Sequence, residues 1–467
     1  MGSNKLAVFW SGLEKVGSYL ANFVIQIILA RLLCPDDYAV VAMLAIFMSV
    51  AQVFIDGGFA TVLIQKKDCT QEDFSSVFYF NILVSIVLYA ILFISAPYVE
   101  SFYGFAGLAT VLRVYSIVLI INSFAMVNRL LVIKQLKFNV IAIINICATV
   151  LSSIPTIYLA SRGASYWALV LQNLLNASII TIGLWGYTKW RPGLDFSIKA
   201  LHRLFPFGIR MFIIDMFYAF YNNLYSMLIG KKFPTEDLGL YDRGKYLGSM
   251  GPIGFSDFFL RAMYPIQSKM QDDSDKLHQS YLTSFRLISL IIVPLSIFIS
   301  VFSTEILSVL YGKQWVSASG ITSILCVGFM FYPLHALNVN MLKVKALGGA
   351  LLKSEILKKA ISLIALFWLL RYDIRAVVIG WTACAILDFI ISEYFYSRFF
   401  KYTPVKTLLV LLKYLGLSLF LALSIKMLLS LLSWNNTVVL ICSCLLYGAI
   451  YFVLMRRIIK ETVSQLE

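Results

Sequence analysis

The sequence predicts an all-α polytopic membrane protein of about fourteen transmembrane helices, on three observations. Sixty per cent of the 467 residues are apolar and 13% are charged. The apolar residues fall in runs of about 20, the length at which a helix crosses the hydrocarbon core of a bilayer. Lysine and arginine crowd into alternate connections, as they do when one face of a membrane collects positive charge. Strands fit poorly. A barrel strand reads as about 10 residues of alternating polarity, and lipid-facing backbone must satisfy its own hydrogen bonds in a helix or a closed sheet.

The expected spans are 10–30, 38–64, 75–97, 107–130, 140–161, 165–187, 204–229, 238–265, 279–302, 316–341, 356–372, 375–397, 405–431 and 437–457. Fourteen spans need roughly 280 residues, which the apolar share of the chain supplies. With a cytoplasmic N-terminus, the cytoplasmic segments and adjoining span ends hold 23 of the 39 Lys and Arg, and the outer loops and adjoining span ends hold seven. Lys66 and Lys67, Arg129, Lys134 and Lys137, Lys189 to Arg203, and Lys343 to Lys359 belong to the first group. That bias fits the positive-inside rule and puts both termini in the cytoplasm. The formal charge of +15 is then mostly a topology signal. A nucleic-acid partner would need those charges on a soluble face, which this pattern does not offer.

The first span carries Glu14 and Lys15 and runs into Arg31, unlike the plain apolar core of a cleavable signal peptide. Its polar stripe is Ser11, Lys15, Ser18, Asn22 and Gln26. The second span carries Asp56, the fourth Arg113, and the seventh Arg210, Asp215, Asn222 and Asn223. The eighth is the richest. Arg243, Leu247, Met250, Gly254, Asp257 and Arg261 share one helical face, and Gly244, Gly248 and Gly251 share an adjoining face. Small residues there allow close helix packing. Gly251-Pro252 is expected to act as a hinge, because proline removes a backbone donor. In the tenth span, His335 in Tyr332-Pro333-Leu334-His335 is expected to be a satisfied interior histidine at a bend. The seven cysteines show no metal-binding spacing and no disulfide framework, so neither a metal nor a cofactor is expected.

The chain also repeats itself. Leu33-Cys34-Pro35-Asp36-Asp37-Tyr38, a span with Asp56, then Ile64-Gln65-Lys66 has a counterpart in Lys232-Phe233-Pro234-Thr235-Glu236-Asp237-Leu238, a span with Asp257, then Ile266-Gln267-Ser268-Lys269. One span later each half has a Tyr-Gly pair, Tyr103-Gly104 and Tyr311-Gly312. Six spans per half make a parallel repeat, which puts a substrate site at the interface of the halves. The expected organisation is an N-terminal lobe at 1–190, a C-terminal lobe at 191–400, and two additional helices at 401–467.

An ionisable residue at mid-bilayer costs about 2.5–3.5 kcal/mol on insertion scales, so such residues are functional candidates. Lys15, Arg113, Arg210, Arg243, Lys245 and Arg261 are the expected cationic lining of a central cavity. Glu14, Asp56, Asp215, Asp242 and Asp257 are its acids, of which Asp56, Asp215 and Asp257 are candidates for coupling to an ion. The slightly positive balance suits an anionic substrate. Each residue has a structural alternative. Asp257 and Arg261, four apart, form a helical ion pair in one reading, as do Asp242 and Lys245. Lys15, Arg286, Lys413 and Lys426 lie near span ends, where their amines can snorkel to the interface.

Ala30-Arg31-Leu32-Leu33-Cys34-Pro35-Asp36-Asp37-Tyr38, Val53-Phe54-Ile55-Asp56-Gly57-Gly58 and Leu63-Ile64-Gln65-Lys66-Lys67-Asp68 resemble the start of bacterial polysaccharide flippases. Leu238-Gly239-Leu240-Tyr241-Asp242-Arg243 and Met263-Tyr264-Pro265 resemble the second-half signature of the same family. This is the Wzx-type branch of the multidrug/oligosaccharidyl-lipid/polysaccharide exporter superfamily. The resemblance covers essentially the whole chain. It implies two six-helix lobes around a central cavity, alternating access, and residence in the bacterial inner membrane. It implies as substrate an undecaprenyl-pyrophosphate-linked oligosaccharide repeat unit, moved from the cytoplasmic to the periplasmic leaflet for O-antigen, capsule or exopolysaccharide synthesis. Membrane lipids and polysaccharide polymerase machinery are the implied partners, and a proton or sodium gradient the implied driving force.

Two rivals follow from the same residues. A cation-coupled multidrug exporter of the superfamily would prefer an acidic cavity and usually has twelve spans. A membrane-embedded polymerase or ligase would need a cluster of histidines and acids with catalytic spacing, which the sequence lacks.

Overall fold

Helix makes up most of every expected span, wherever it is described, in the computed structural model of the chain. The structure describes residues 17, 21–66, 68–193, 196–400, 402–432 and 434–464; side chains at 61, 65, 204–208, 210, 211 and 457–464 lie outside that description. No strand occurs among the described residues. The helices are α1 (Ala21–Leu32 as described), α2 (Pro35–Asp56), α3 (Phe59–Gln65), α4 (Gln71–Tyr103), α5 (Leu108–Tyr115), α6 (Ile117–Lys134), α7 (Phe138–Ser161), α8 (Tyr166–Thr188) and α9 (Ile198–Lys232). They continue with α10 (Thr235–Lys269), α11 (Ser274–Val301), α12 (Ser303–Leu310), a 3-10 turn (Lys313–Ala318), α13 (Ser319–Met330), α14 (Tyr332–Val344), α15 (Gly348–Leu369), α16 (Ile374–Phe400), α17 (Val405–Ser430) and α18 (Asn436–Ser464).

Ten segments are long and apolar enough to cross a bilayer. The chain is therefore a multi-pass membrane protein with an all-α fold. Helices α9, α10 and α15 are of comparable length and hold charges instead of an unbroken apolar run.

Three expected spans are each two helices. The span expected at 38–64 parts into α2 and α3 at Gly57 (φ 52°) and Gly58 (φ 70°). Consecutive left-handed residues cannot continue a right-handed ladder, and only glycine adopts them without steric cost. The span at 107–130 is α5 and α6, and that at 316–341 ends as α13 and α14. Pro333, at the start of α14, has no N–H with which to extend α13. The reverse holds at the expected hinge. Helix α10 is continuous through Gly251-Pro252 and again through Pro265.

Helix starts follow the sequence chemistry. Thr70 and Asp73 form a reciprocal capping box on α4, with the Asp73 backbone N–H donating to Thr70 Oγ1 at 3.2 Å. Pro35 opens α2, followed by Asp36 and Asp37, which favour the positive end of the helix dipole.

The chain folds as two compact units, Met1–Gly239 and Leu240–Glu467. In the first, α2 packs on α9, α4 and α8, and α8 packs on α6 and α7. A core of Phe59, Val62, Phe74, Phe78, Val127 and Leu130 closes one end under Trp185 and Trp190. The units and the sequence repeat are different divisions of the chain. Helix α9, which opens the second half of the expected repeat, packs on α2, α3 and α4. In the second unit α11 packs on α17 and α13, α16 on α15 and α13, and α18 on α17 and α12.

Candidate functional site

In the first unit the left-handed glycines end α2 at Asp56, so its carboxylate stands at a helix terminus. Gln52, one turn back, donates from Nε2 to Asp56 Oδ1 at 3.1 Å, and Asn122 of α6 donates to Gln52 Oε1 at 3.1 Å. Arg129 and Asp215 are the charges that act on Asp56. The fold thus brings Asp56 and Asp215 into one neighbourhood, together with Arg129, which the charge pattern had assigned to the membrane face. A carboxylate at the negative end of a helix dipole attracts a cation. Arg113 lies in the last turn of α5. Its Nε donates to the Phe93 carbonyl at 3.2 Å, and the guanidinium lies 4.6 Å from the Phe93 ring centroid. Lys15 lies outside the described residues, as does the side chain of Arg210.

In the second unit, helix α10 meets its neighbours through glycines, as its spacing predicts. A Cβ on Gly244 would lie 2.9 Å from Thr322 Oγ1, and one on Gly248 would lie 3.3 Å from the Cys326 backbone nitrogen. Both contacts are with α13. A Cβ on Gly251 would lie 3.0 Å from Leu295 of α11. Arg243 is 8% exposed. Its Nη2 pairs with Asp242 Oδ2 at 2.9 Å, and the guanidinium lies 5.0 Å from the Tyr246 ring centroid. Asp242 thus takes Arg243 as an ion-pair partner. Lys245 is half-buried, with Nζ 6.0 Å from the Tyr241 ring. Tyr311 of the second Tyr-Gly pair is fully buried near Arg243, and burial pushes its phenol up to about 12. Asp257 is half-buried and Arg261 exposed. At about 1.5 Å rise per residue, Arg261 stands roughly 27 Å along the axis from Arg243. The cations of α10 therefore occupy two depths.

The sequence reading missed two groups of residues. Lys358 of α15, counted among the charges of the cytoplasmic face, is 1% exposed and pairs with Glu355 Oε1 at 2.5 Å. Lys359 and Asp388 act on each other across α15 and α16. His335 belongs to this cluster through a bond to the Asp388 backbone, but its Nδ1 is buried with no partner among the described residues. The expected satisfied histidine is thus only half satisfied, because one ring nitrogen faces no donor. The Glu355/Lys358 spacing of one helical turn was the available signal. The second missed group surrounds Glu393 of α16, which has no such local signal because its partners lie on other helices.

The two ends of the first unit are tied differently. At one end two turns that are counterparts in the expected repeat meet. A Cβ on Gly239 would lie 1.9 Å from the Pro35 carbonyl oxygen, and one on Gly230 would lie 2.9 Å from Leu238 and 3.2 Å from Tyr103. Tyr103 donates its hydroxyl to the Met43 carbonyl at 2.9 Å, and Lys231 donates to the Phe102 carbonyl. At the other end Asp73, fully buried, takes Lys66 and Arg203 at 2.6 Å each. The connection into α9 is pinned to α4 there. Gln71 donates to the Arg191 carbonyl at 2.7 Å, and the Gly193 and Ser197 backbone N–H groups donate to Ser75 and Ser76. No group of three or more His, Cys, Asp or Glu suited to a metal ion occurs among the described residues.

The model of a family described as polysaccharide biosynthesis protein matches residues 28–320. The teichuronic acid biosynthesis protein TuaB of Bacillus subtilis (strain 168) is 25% identical over 279 residues, 59% of this chain and 58% of that protein. The lipopolysaccharide biosynthesis protein WzxC of Escherichia coli (strain K12) is 22% identical over 324 residues, 68% of this chain and 65% of that protein. The chain thus spans about three-fifths of the length of these curated relatives. Among solved structures, the lipid II flippase MurJ in an inward closed conformation is similar with a TM-score of 0.74. The likeness covers 97% of this chain and 99% of that one at 13% sequence identity, a likeness of fold.

Proposed function

This chain belongs to the polysaccharide biosynthesis protein family, and from that premise we propose that it is a flippase for a lipid-linked oligosaccharide. The proposed cargo is an oligosaccharide repeat unit on undecaprenyl pyrophosphate, carried from the cytoplasmic to the periplasmic leaflet of the inner membrane. The observation that carries this reading is Arg243, a guanidinium 8% exposed on a helix otherwise packed through glycines. A cation held inside a membrane protein costs several kcal/mol unless it has work there, and a guanidinium matches phosphate oxygens.

In this mechanism Arg210 and Arg261 neutralise the pyrophosphate on the cytoplasmic side, and Arg243 and Arg113 receive it as the outer side opens. Lys15 and Lys245 add to the positive lining. The different depths of Arg243 and Arg261 on α10 support such a hand-over. Tyr218 and Tyr221 on α9, with Asn222 and Asn223, offer stacking faces and polar groups for sugar. The Gly239–Pro35 contact closes one end in alternating access and parts for release, with Gly251-Pro252 as the hinge. The lobes are 1–190 and 191–400. Helices α17 and α18 carry exposed apolar faces, among them Leu409, Phe420, Met427 and Leu445, which suit a prenyl tail. A proton or sodium gradient drives the cycle through Asp56, Asp215 or Asp257. The released unit feeds polysaccharide polymerase machinery.

Complementation tests this. In a deletion strain of the native host, the Arg243→Gln/Arg261→Gln double variant is expected to lose surface glycan at wild-type protein level. Full export by that variant would refute the cationic path.

A further inference from the structure

Glu393 lies on the buried face of α16, 6% exposed, and its carboxyl reaches side chains from three other helices. Oε2 is 2.7 Å from the Tyr281 hydroxyl of α11 and 2.9 Å from Asn338 Nδ2 of α14. Oε1 is 2.8 Å from the Thr407 hydroxyl of α17. These partners have further contacts. The Tyr281 hydroxyl is 2.8 Å from Asn338 Oδ1, and Asn338 Nδ2 is 3.2 Å from Ser392 Oγ. Ser392 Oγ is 2.8 Å from the Phe389 carbonyl, and Thr407 Oγ1 is 2.8 Å from the Pro404 carbonyl. Tyr281, Asn338, Ser392 and Thr407 are all buried.

The protons in this network can be counted. A hydroxyl donates one and an amide two, whereas an ionised carboxylate only accepts. With Glu393 ionised, the hydroxyls of Tyr281, Ser392 and Thr407 and the Asn338 amide supply five protons to seven contacts. Two oxygen pairs at hydrogen-bond distance then face each other lone pair to lone pair. Tyr281 cannot serve both Asn338 Oδ1 and Glu393, and Thr407 cannot serve both Glu393 and the Pro404 carbonyl. Turning the Asn338 amide over worsens the count, because its oxygen then faces Glu393. A proton on Glu393 improves it. Oε1–H donates to Thr407 Oγ1, and Thr407 is free to donate to the Pro404 carbonyl.

The surrounding charges agree. Among the described residues no lysine or arginine lies within ion-pair distance of Glu393. The ionisable groups facing it are the phenols Tyr281 from α11, Tyr396 from its own helix and Tyr402 from the turn before α17; behind them His278 of α11 has Nδ1 2.9 Å from the Tyr396 hydroxyl, with Lys406 of α17 acting on it. Helix α14 offers the neutral Asn338 and α17 the neutral Thr407. On α15, Lys358 is paired with Glu355, and α13 has Cys326 as its one ionisable side chain. A buried carboxylate without a cation costs far more than a neutral acid.

We propose that Glu393 is a proton-binding site, occupied at neutral pH, and that its proton fastens the start of α17 to α16. This goes beyond the transport reading and does not depend on it. The carboxyl's proton is the bound ligand; its loss leaves Thr407 one hydroxyl proton for both Glu393 and the Pro404 carbonyl, so one of these two contacts at the first turn of α17 is lost.

Infrared spectroscopy of the full-length protein in lipid nanodiscs tests the site. A buried protonated-carboxyl stretch is expected at neutral pH in the wild type and is lost in Glu393→Gln. Glutamine puts an amide NH2 in place of the protonated oxygen and a carbonyl in place of the accepting one, so that variant is expected to keep the wild-type melting temperature. Identical carboxyl bands in the two proteins overturn the proposal. Should Glu393→Gln fail to fold, Thr407→Val serves instead, because removing the acceptor shifts the band, and an unshifted band is equally fatal. Tryptic cleavage after the exposed Lys406 tests the fastening. At alkaline pH it is expected to be severalfold faster in wild type than in Glu393→Gln, and equal rates overturn it. Neither readout involves glycan export, so a failed export assay leaves this result standing.

Discussion

Arg243 and Lys358 are both buried cations with a carboxylate beside them, and they differ in what the rest of the site asks of them. Arg243 pairs with the adjacent Asp242 and stands over Tyr246, and its planar fork has the geometry that matches phosphate oxygens. Lys358 is a compact charge enclosed by helix and bound to Glu355 one turn away. Removing one partner of a buried pair strands the other, whereas replacing both by apolar groups of similar volume is often neutral. Glu355→Ala is therefore expected to lower stability by about 3 kcal/mol. The Lys358→Met/Glu355→Leu pair should leave it nearly unchanged. Thermal unfolding in detergent compares them, and equal losses in the two variants would contradict this account. Arg243→Lys keeps the charge and loses the fork, so export should fall while melting temperature holds. Single residues were unevenly legible. Arg243, Asp56 and Asp257 stand out as charges in apolar runs. Lys358 did not, because it follows a basic stretch that reads as membrane face, and Glu393 did not, because only tertiary contacts define it.

Helix α10 shows how an element uses its sequence. Its glycines recur on the face that meets α13 and α11, so the helix approaches closely and its charged residues fall elsewhere. Gly248→Leu drives a side chain into the Cys326 backbone, and overpacking of this kind costs about 1–3 kcal/mol. An unchanged melting temperature would show that α13 yields freely. Gly239→Val faces a harder obstacle, the Pro35 carbonyl oxygen at 1.9 Å from its Cβ position. Thermal unfolding should show a larger loss than for Gly248→Leu. Helix periods, small-residue faces and capping boxes were legible because they are local. The break at Gly57-Gly58 was not, since the apolar run continues across it, and neither was the continuity of α10, since a proline inside a membrane helix is tolerated when neighbours resatisfy the backbone.

At the scale of the whole molecule, apolar run length and charge bias specify a polytopic helical protein, and the family match and MurJ-like fold agree. Two turns that are counterparts in the expected repeat, at Pro35 and Gly239, pack on one another. The packing of α9 on α2, α3 and α4 was not legible, because the repeat groups α9 with the second half while its contacts lie in the first unit. The central claim is that the chain carries a lipid-linked glycan across the bilayer. The most direct measurement extracts undecaprenyl-linked glycans from a deletion strain of the native host, identifies them by mass spectrometry and assigns their leaflet. The account predicts completed repeat units accumulating in the cytoplasmic leaflet. Normal lipid-linked pools with intact surface glycan, in a strain with no second flippase, would contradict it.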